Sequence, residues 1–226
     1  MRNVRIVELA AGIRATFVSF FSIVMFVALG AAVFLGLQWG KQALSTTFDE
    51  TLAQSNFHDI EVQYPYGITD QSIEDLRAIE GVELVEPGYA AFVEGMVGTT
   101  TASFKVQSLT PTLDQPEVIE GTLPASAGEV ALLDTWATNH GVKVGDVLSL
   151  PADATDAGSP VPYLADTEFT ISALVRAPGY LAKDSSTYGA STTGSGTIDC
   201  VAFATEDAFD ALAFTRALVG EGEGMV

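Results

Sequence analysis

An uncharged run from Ala15 to Gly40, closed by Arg14 on one side and Lys41 on the other, constrains this chain more than any other feature. Its central stretch, Phe17 to Leu37, would make a helix about 31 Å long at ~1.5 Å per residue, which matches a bilayer's hydrocarbon core. Thirteen of its 21 residues are Phe, Val, Ile or Leu. At roughly −0.3 to −0.6 kcal/mol each, they favour insertion well beyond the cost of Ser19 and Ser22. The rival reading is a cleaved signal peptide. Its apolar region normally runs about 7–15 residues, shorter than this one, although Ala28-Leu29-Gly30-Ala31-Ala32 contains small residues a peptidase could accept.

The flanks set the orientation. Arg2, Arg5 and Arg14 precede the span against Glu8 alone, so the first 40 residues carry +2, while the other seven basic and 28 acidic side chains give the remainder −21. The positive-inside rule places the N-terminus in the cytoplasm and the long acidic segment outside the cell membrane. The expected organisation is a cytoplasmic interfacial segment over 1–14, a transmembrane helix over 15–40, a helical stalk over 41–57 and an extracytoplasmic α+β domain over 58–226. That domain is expected as two subdomains, 58–110 and 111–200, with the chain returning toward the membrane after 200. Such an acidic exterior argues against nucleic acid and anionic lipid as partners of the exported part. It serves either a cationic ligand or simple solvation. Cys200 is the lone cysteine, so no intrachain disulfide forms, and its apolar setting in Ile198–Phe203 is that of a buried small hydrophobe.

Beyond the span, Leu44, Phe48 and Leu52 recur every four residues, on one face of a stalk helix, and Trp39 sits where an outer-interface aromatic anchor belongs. His58 to Val62 alternates as a half-buried strand does. Thr69 or Asp70 can cap a short helix carrying Ile73, Leu76 and Ile79, with Gly81 at its exit and a strand from Val82 to Val85, a βαβ pattern. Tyr89–Val97 and Thr101–Leu109 read as strands joined by a turn near Gly98. Gly128–Leu133 reads as a strand, Asp134 as the cap of a helix ended by Gly141, and Val142–Leu150 as a turn and strand. Thr167–Val175 and Ile198–Phe203 are further strands. Pro151–Pro162 and Lys183–Gly196 read as loops, Glu206–Leu218 as a final helix, and Gly220–Gly224 as a tail without structural drive.

Catalytic and metal-binding patterns are missing. The four lysines, Lys41, Lys105, Lys143 and Lys183, all lie outside any phosphate-binding loop, so the chain holds no ATP site of its own. His58 and His140 lack zinc-site spacing, Asp153 and Asp156 lack a calcium ladder, and Gly194-Ser195-Gly196 has no G-x-S-x-G frame. The chain is not expected to be an enzyme. One interaction surface is legible within the span: Ala28, Ala32, Gly36 and Gly40, four apart, form a small-residue ridge that either admits close helix packing or arises by chance, Ala and Gly being common in membrane helices.

The blocks Tyr66-Gly67-Ile68-Thr69-Asp70, Leu76-Arg77-Ala78-Ile79, Glu120-Gly121-Thr122-Leu123-Pro124, Gly128–Leu132, Gly141–Asp146, Phe169–Val175 and Gly194–Asp199 follow a single N-terminal span in this order. Together they resemble the FtsX-like and MacB-like permeases of ABC transporters, over nearly the whole chain. The resemblance implies an α+β fold: one transmembrane helix with a stalk, then a MacB-like exported domain with a βαβ-containing α/β subdomain and a small β-rich subdomain. It implies a separate cytoplasmic ABC ATPase as partner, which binds the ATP, together with other permease helices or a second permease copy and membrane lipid. The implied work is export, lipid or lipoprotein extraction, or mechanical signalling. Such permeases have at least four membrane helices, so the resemblance implies either an N-terminal part of a longer permease, the favoured reading, or a reduced relative that cannot form a transport unit alone. A single-pass anchored binding or scaffold protein is the alternative.

Overall fold

The computed structural model describes residues 2–151, 163–180, 188–191, 196–210 and 214–221, in two compact units, 1–50 and 51–226. The N-terminal helix α1 runs from Arg2 to Gln54, so the expected span and stalk are one helix that passes through Gly40 without a break. Among the described residues it is the one helix long and apolar enough to cross a membrane, and none of its apolar window is buried in the chain. Phe26 is 78% exposed and Leu37 70%. A helix apolar on all sides needs a non-aqueous surrounding, which lipid or further helices supply. The helix ends in a Schellman turn: Asn56 takes φ 49°, Asn56 N–H donates to the Ala53 carbonyl, and Phe57 N–H to that of Leu52. Asn is among the few side-chain-bearing residues that adopt this left-handed conformation at small cost.

The second unit holds two main sheets. In the three-stranded sheet, β1 (Ile60–Ile68) and β2 (Val82–Gly88) flank β12 (Phe214–Glu221), and both pairings are antiparallel. The expected βαβ unit is therefore split, its two parallel strands separated by a strand from the far end of the sequence. Helix α2 (Asp70–Arg77) connects them; Thr69 caps it by accepting from Ser72 N–H, and Ile73 packs with Ile68, Val85, Ala217 and Val219. The expected helix over Glu206–Leu218 is corrected. Glu206–Ala208 is a 3₁₀ turn, β11 (Phe209–Asp210) pairs with β8 (Tyr163–Leu164), and β12 begins at Phe214. Thr215 to Val219 are all buried because β12 is the central strand, and a strand covered on both faces loses the period-two signature. The strand also takes in Gly220 and Glu221, the start of the expected tail.

The seven-stranded sheet has the order β5-β9-β6-β10-β4-β3-β7, for β3 (Ala90–Val97), β4 (Thr100–Ser108), β5 (Glu117–Gly121), β6 (Glu129–Leu133), β7 (Val147–Ser149), β9 (Glu168–Arg176) and β10 (Cys200–Ala204). β7 also pairs with β9, which closes six of these strands into a barrel and leaves β5 outside the ring. A small barrel fills with side chains, here Phe104, Leu132, Leu148, Phe169 and Ile171 among others. Gly95 permits the closure, since a Cβ there would lie 2.8 Å from Leu150 and 2.9 Å from Leu148. β3 and β4, which the expected first subdomain contains, hydrogen-bond into this larger sheet, so the sheets part company at Tyr89. The β-rich part is thus the larger of the two.

Helix α3 (Asp134–His140) ends at Gly141, which adopts φ 70°. Asp134 does not cap it: Leu133 occupies the cap without a side-chain bond, and Asp134 instead pairs with Arg176 at 3.1 Å. Asp153, Asp156, Gly194, Ser195 and most of the two expected loops lie outside the described residues.

Candidate ligand cleft

Strand β4 carries Ser103, Lys105 and Gln107 on one face and Phe104 and Val106 on the other. Simple alternation sends the polar face to solvent, yet every residue from Ala102 to Ser108 is buried. Lys105 is only 5% exposed; its Nζ donates to Tyr180 Oη at 2.9 Å, and Tyr180 Oη in turn donates to Gln107 Oε1 at 3.2 Å. Glu61 Oε1 on β1 stands 3.8 Å from Nζ, close enough for attraction and too far for a hydrogen bond.

Arg216 on β12 lies opposite Gly88 and Gln63 in the sheet register and is 2% exposed. Its Nη2 donates to the Ser108 carbonyl. Its Nε is buried with no hydrogen-bond partner, and among the described residues the guanidinium forms no ion pair. Burial holds its pKa below the ordinary arginine value, against the more distant pull of Glu61, Tyr180, Asp114 and Glu86. Gly88 makes the room: a Cβ there would sit 2.8 Å from Arg216 Nε.

The acidic side chains near these two cations are already engaged. Asp114 accepts from His58 N–H at 3.1 Å and pairs with His58 Nδ1 at 2.7 Å. Glu86 accepts from the backbone N–H groups of Thr112 and Leu113. Further bonds lace the same two segments, from Asp114 N–H to the Asn56 carbonyl and from Gln115 N–H to the Ser55 carbonyl. The result is a cleft of about 300 Å³ between the two sheets, whose lining includes the cations Lys105 and Arg216, the carboxylates Glu61 and Asp114, and the aromatic rings of Phe57, Tyr180 and Phe203. It can offer positive charge, N–H donors and aromatic faces to a small ligand.

The residues singled out from sequence lie elsewhere. Ala28, Ala32, Gly36 and Gly40 are exposed on α1, with no atom within 4 Å of a Cβ built at Gly36 or Gly40. Leu44 is 73% exposed and Phe48 47%, while Leu52 is half-buried. Arg2, Arg5 and Arg14 belong to α1, but their side chains lie outside the described ones. His58, expected as an ordinary structural or surface histidine, is held by Asp114. Sequence reasoning did not find Lys105 or Arg216 as a pair. The available signal was slight: an arginine inside the largely apolar run Phe214–Val219, with nothing local to mark Lys105.

No family model matches the chain, and no curated protein does. Among solved structures it is similar to a domain assigned to a permease protein from Porphyromonas gingivalis, at 15% identity and TM-score 0.40, over 73% of this chain and 71% of that one. It is also similar to the extracellular domain of the noncanonic ABC-type transporter YknZ from Gram-positive bacteria, at 9% identity and TM-score 0.42, over 78% and 80%. A third is the periplasmic region of MacB from Actinobacillus actinomycetemcomitans, at 8% identity and TM-score 0.41, over 73% and 68%. Likeness at this level assigns no family.

Proposed function

We propose that this chain is the permease-type subunit of an ATP-driven membrane machine. One observation carries the reading: a single helix, Arg2–Gln54, contains both an apolar stretch of membrane length and the stalk, and its exit at Ser55–His58 is hydrogen-bonded to the 112–115 loop of the β-rich domain. ATP is bound and hydrolysed in a separate cytoplasmic ABC ATPase, and this chain needs no cofactor. The N-terminus with Arg2, Arg5 and Arg14 stays in the cytoplasm of a cell whose plasma membrane holds the helix, and residues after about 41 are exported. Movement of the membrane helices reaches the exported domain through Leu44, Phe48 and Leu52 and serves export, lipid or lipoprotein extraction, or mechanical signalling.

Affinity purification of the full-length protein from its native membranes tests this reading. An ABC ATPase is expected to co-purify, and an ATPase-dead version of it is expected to abolish function. Failure to recover an ATPase, with function intact when the ATPase is inactivated, overturns the proposal. The ridge of Ala28, Ala32, Gly36 and Gly40 is proposed as the packing face toward other permease helices or a second copy. Gly36→Leu is then expected to reduce cross-linking within the membrane, at no packing cost inside the chain. The cleft favours a second reading, an anchored binding module without a transport role, in which the protein retains a ligand and recruits no ATPase.

A further inference from the structure

We infer that the cleft between the two sheets is a binding site for an oxyanionic group, a carboxylate or a phosphate, carried on a small and partly apolar molecule and held by Arg216 and Lys105. A buried guanidinium has five N–H donors and persists in a protein interior when it is paired and hydrogen-bonded. Arg216 is 2% exposed and lines the cleft, donates to the Ser108 carbonyl, leaves Nε without a partner, and forms no ion pair among the described residues. Lys105, 5% exposed in the same cleft, donates to Tyr180 Oη, while Glu61 stays at 3.8 Å.

The neighbouring carboxylates do not complete the guanidinium. Asp114 is closed on His58, and Glu86 on the Thr112 and Leu113 amides. Glu61 accepts from Gln63 and leans toward Lys105. Arg216 without an ion pair among the described residues, beside a Lys105 whose one carboxylate stands at 3.8 Å, leaves the cleft with room for an anion from outside. A planar fork beside a point-charge ammonium suits a group with two or three oxygens. The volume of about 300 Å³ lies at the lower end for small-molecule sites, and Phe57, Tyr180 and Phe203 give the ligand's remainder an apolar wall. The acidic exterior opposes an anion's approach from a distance, but ordinary salt screens that field beyond about 8 Å.

The binding assay contains no ATPase, so its outcome is independent of the transport reading. The full chain in detergent micelles is titrated calorimetrically with inorganic phosphate and, separately, with butyrate at constant ionic strength. Saturable binding of at least one probe is expected, weakened at least about tenfold by Lys105→Gln and by Arg216→Met. Glu61→Gln removes the one carboxylate that competes for Lys105 and is expected to tighten binding several-fold. Glu61 is a partly exposed residue, so this gain does not depend on core substitutions that could disturb folding. Phosphate binding alone identifies a phosphorylated ligand class, and butyrate binding alone a carboxylate class. The inference is overturned by an absence of saturable binding to either probe, or by equal affinities in the unsubstituted protein, Lys105→Gln and Glu61→Gln.

Discussion

Replacing Arg216 with methionine separates what this side chain does for folding from what it does for a ligand. Burial of an ion costs several kcal/mol even after relaxation. The bond to the Ser108 carbonyl, the guanidinium's one partner among the described residues, returns roughly 1.5–3 kcal/mol, and the nearby carboxylates add only a remote attraction. Methionine replaces the stem of arginine out to the position of Nε, adapts its shape to the space and carries no charge. Arg216→Met is therefore expected to leave the ligand-free protein equally stable or up to about 2 kcal/mol more stable, as for other buried charges replaced by apolar groups. The assay is urea unfolding of the full chain in micelles, followed by the fluorescence of Trp136. That indole is 5% exposed, with its ring edge against Phe104 at 5.3 Å between centroids. Trp39→Phe in all samples silences the other indole. Phosphate or butyrate at about 100 times its Kd is expected to stabilise the parent by about 2.7 kcal/mol and to leave Arg216→Met unmoved. A loss of more than about 2 kcal/mol in ligand-free Arg216→Met refutes the reasoning. It would mean that the guanidinium is already well paired, and the anion would lose its premise.

Two further outcomes follow from the barrel. Gly121 has φ 83°, and a Cβ there would lie 2.1 Å from the Ser172 carbonyl oxygen, so Gly121→Ala is expected to cost roughly 1–3 kcal/mol and to loosen β5 from β9. Hydrogen exchange should accelerate over 117–121 and stay unchanged in β6 and β10; uniform protection would contradict the assignment of strain. Cys200 is fully buried, and desolvation pushes its thiol well above the ordinary value. The folded protein is expected to ignore a thiol reagent at pH 9 and to react once unfolded. Because the folded pKa lies above the unfolded one near ~8.5, this thiol's contribution is complete below that pH and is lost as pH rises. The parent should lose about 1.4 kcal/mol more than Cys200→Ala between pH 7 and 9.5.

What the sequence disclosed follows the range over which each interaction acts. The apolar helix, the Thr69 cap, the exit at Gly141 and the β3–β4 hairpin are set by neighbouring residues, and each was legible. The helix expected across Glu206–Leu218 failed because β12 is covered on both faces, a fact decided by strands more than 120 positions away. Asp134 failed as a cap for a similar reason: Arg176, on a strand distant in sequence, offers its carboxylate a cation. The cleft was invisible on both grounds. Lys105 alternates correctly for a solvent-facing strand residue, and nothing local announces that Tyr180 and Glu61 will cover it.

The cleft shares a short segment with the C-terminal exit of α1. Phe57 and His58 line the cleft; Phe57 closes the Schellman turn that ends α1, and His58 follows it. The bonds from Asp114, Gln115 and Asn56 fix that segment to the loop whose Leu113 amide holds Glu86. Displacement of Ser55–His58 therefore shifts one aromatic wall and the His58–Asp114 pair together, and it alters the volume available beside Lys105 and Arg216. Coupling between sites is reciprocal in binding free energy, so a ligand that prefers one position of this segment must bias the segment toward that position. β12 supplies Arg216 and also holds β1 and β2 together, so the cleft exists only when the far end of the described chain has closed onto β1, the strand that follows α1.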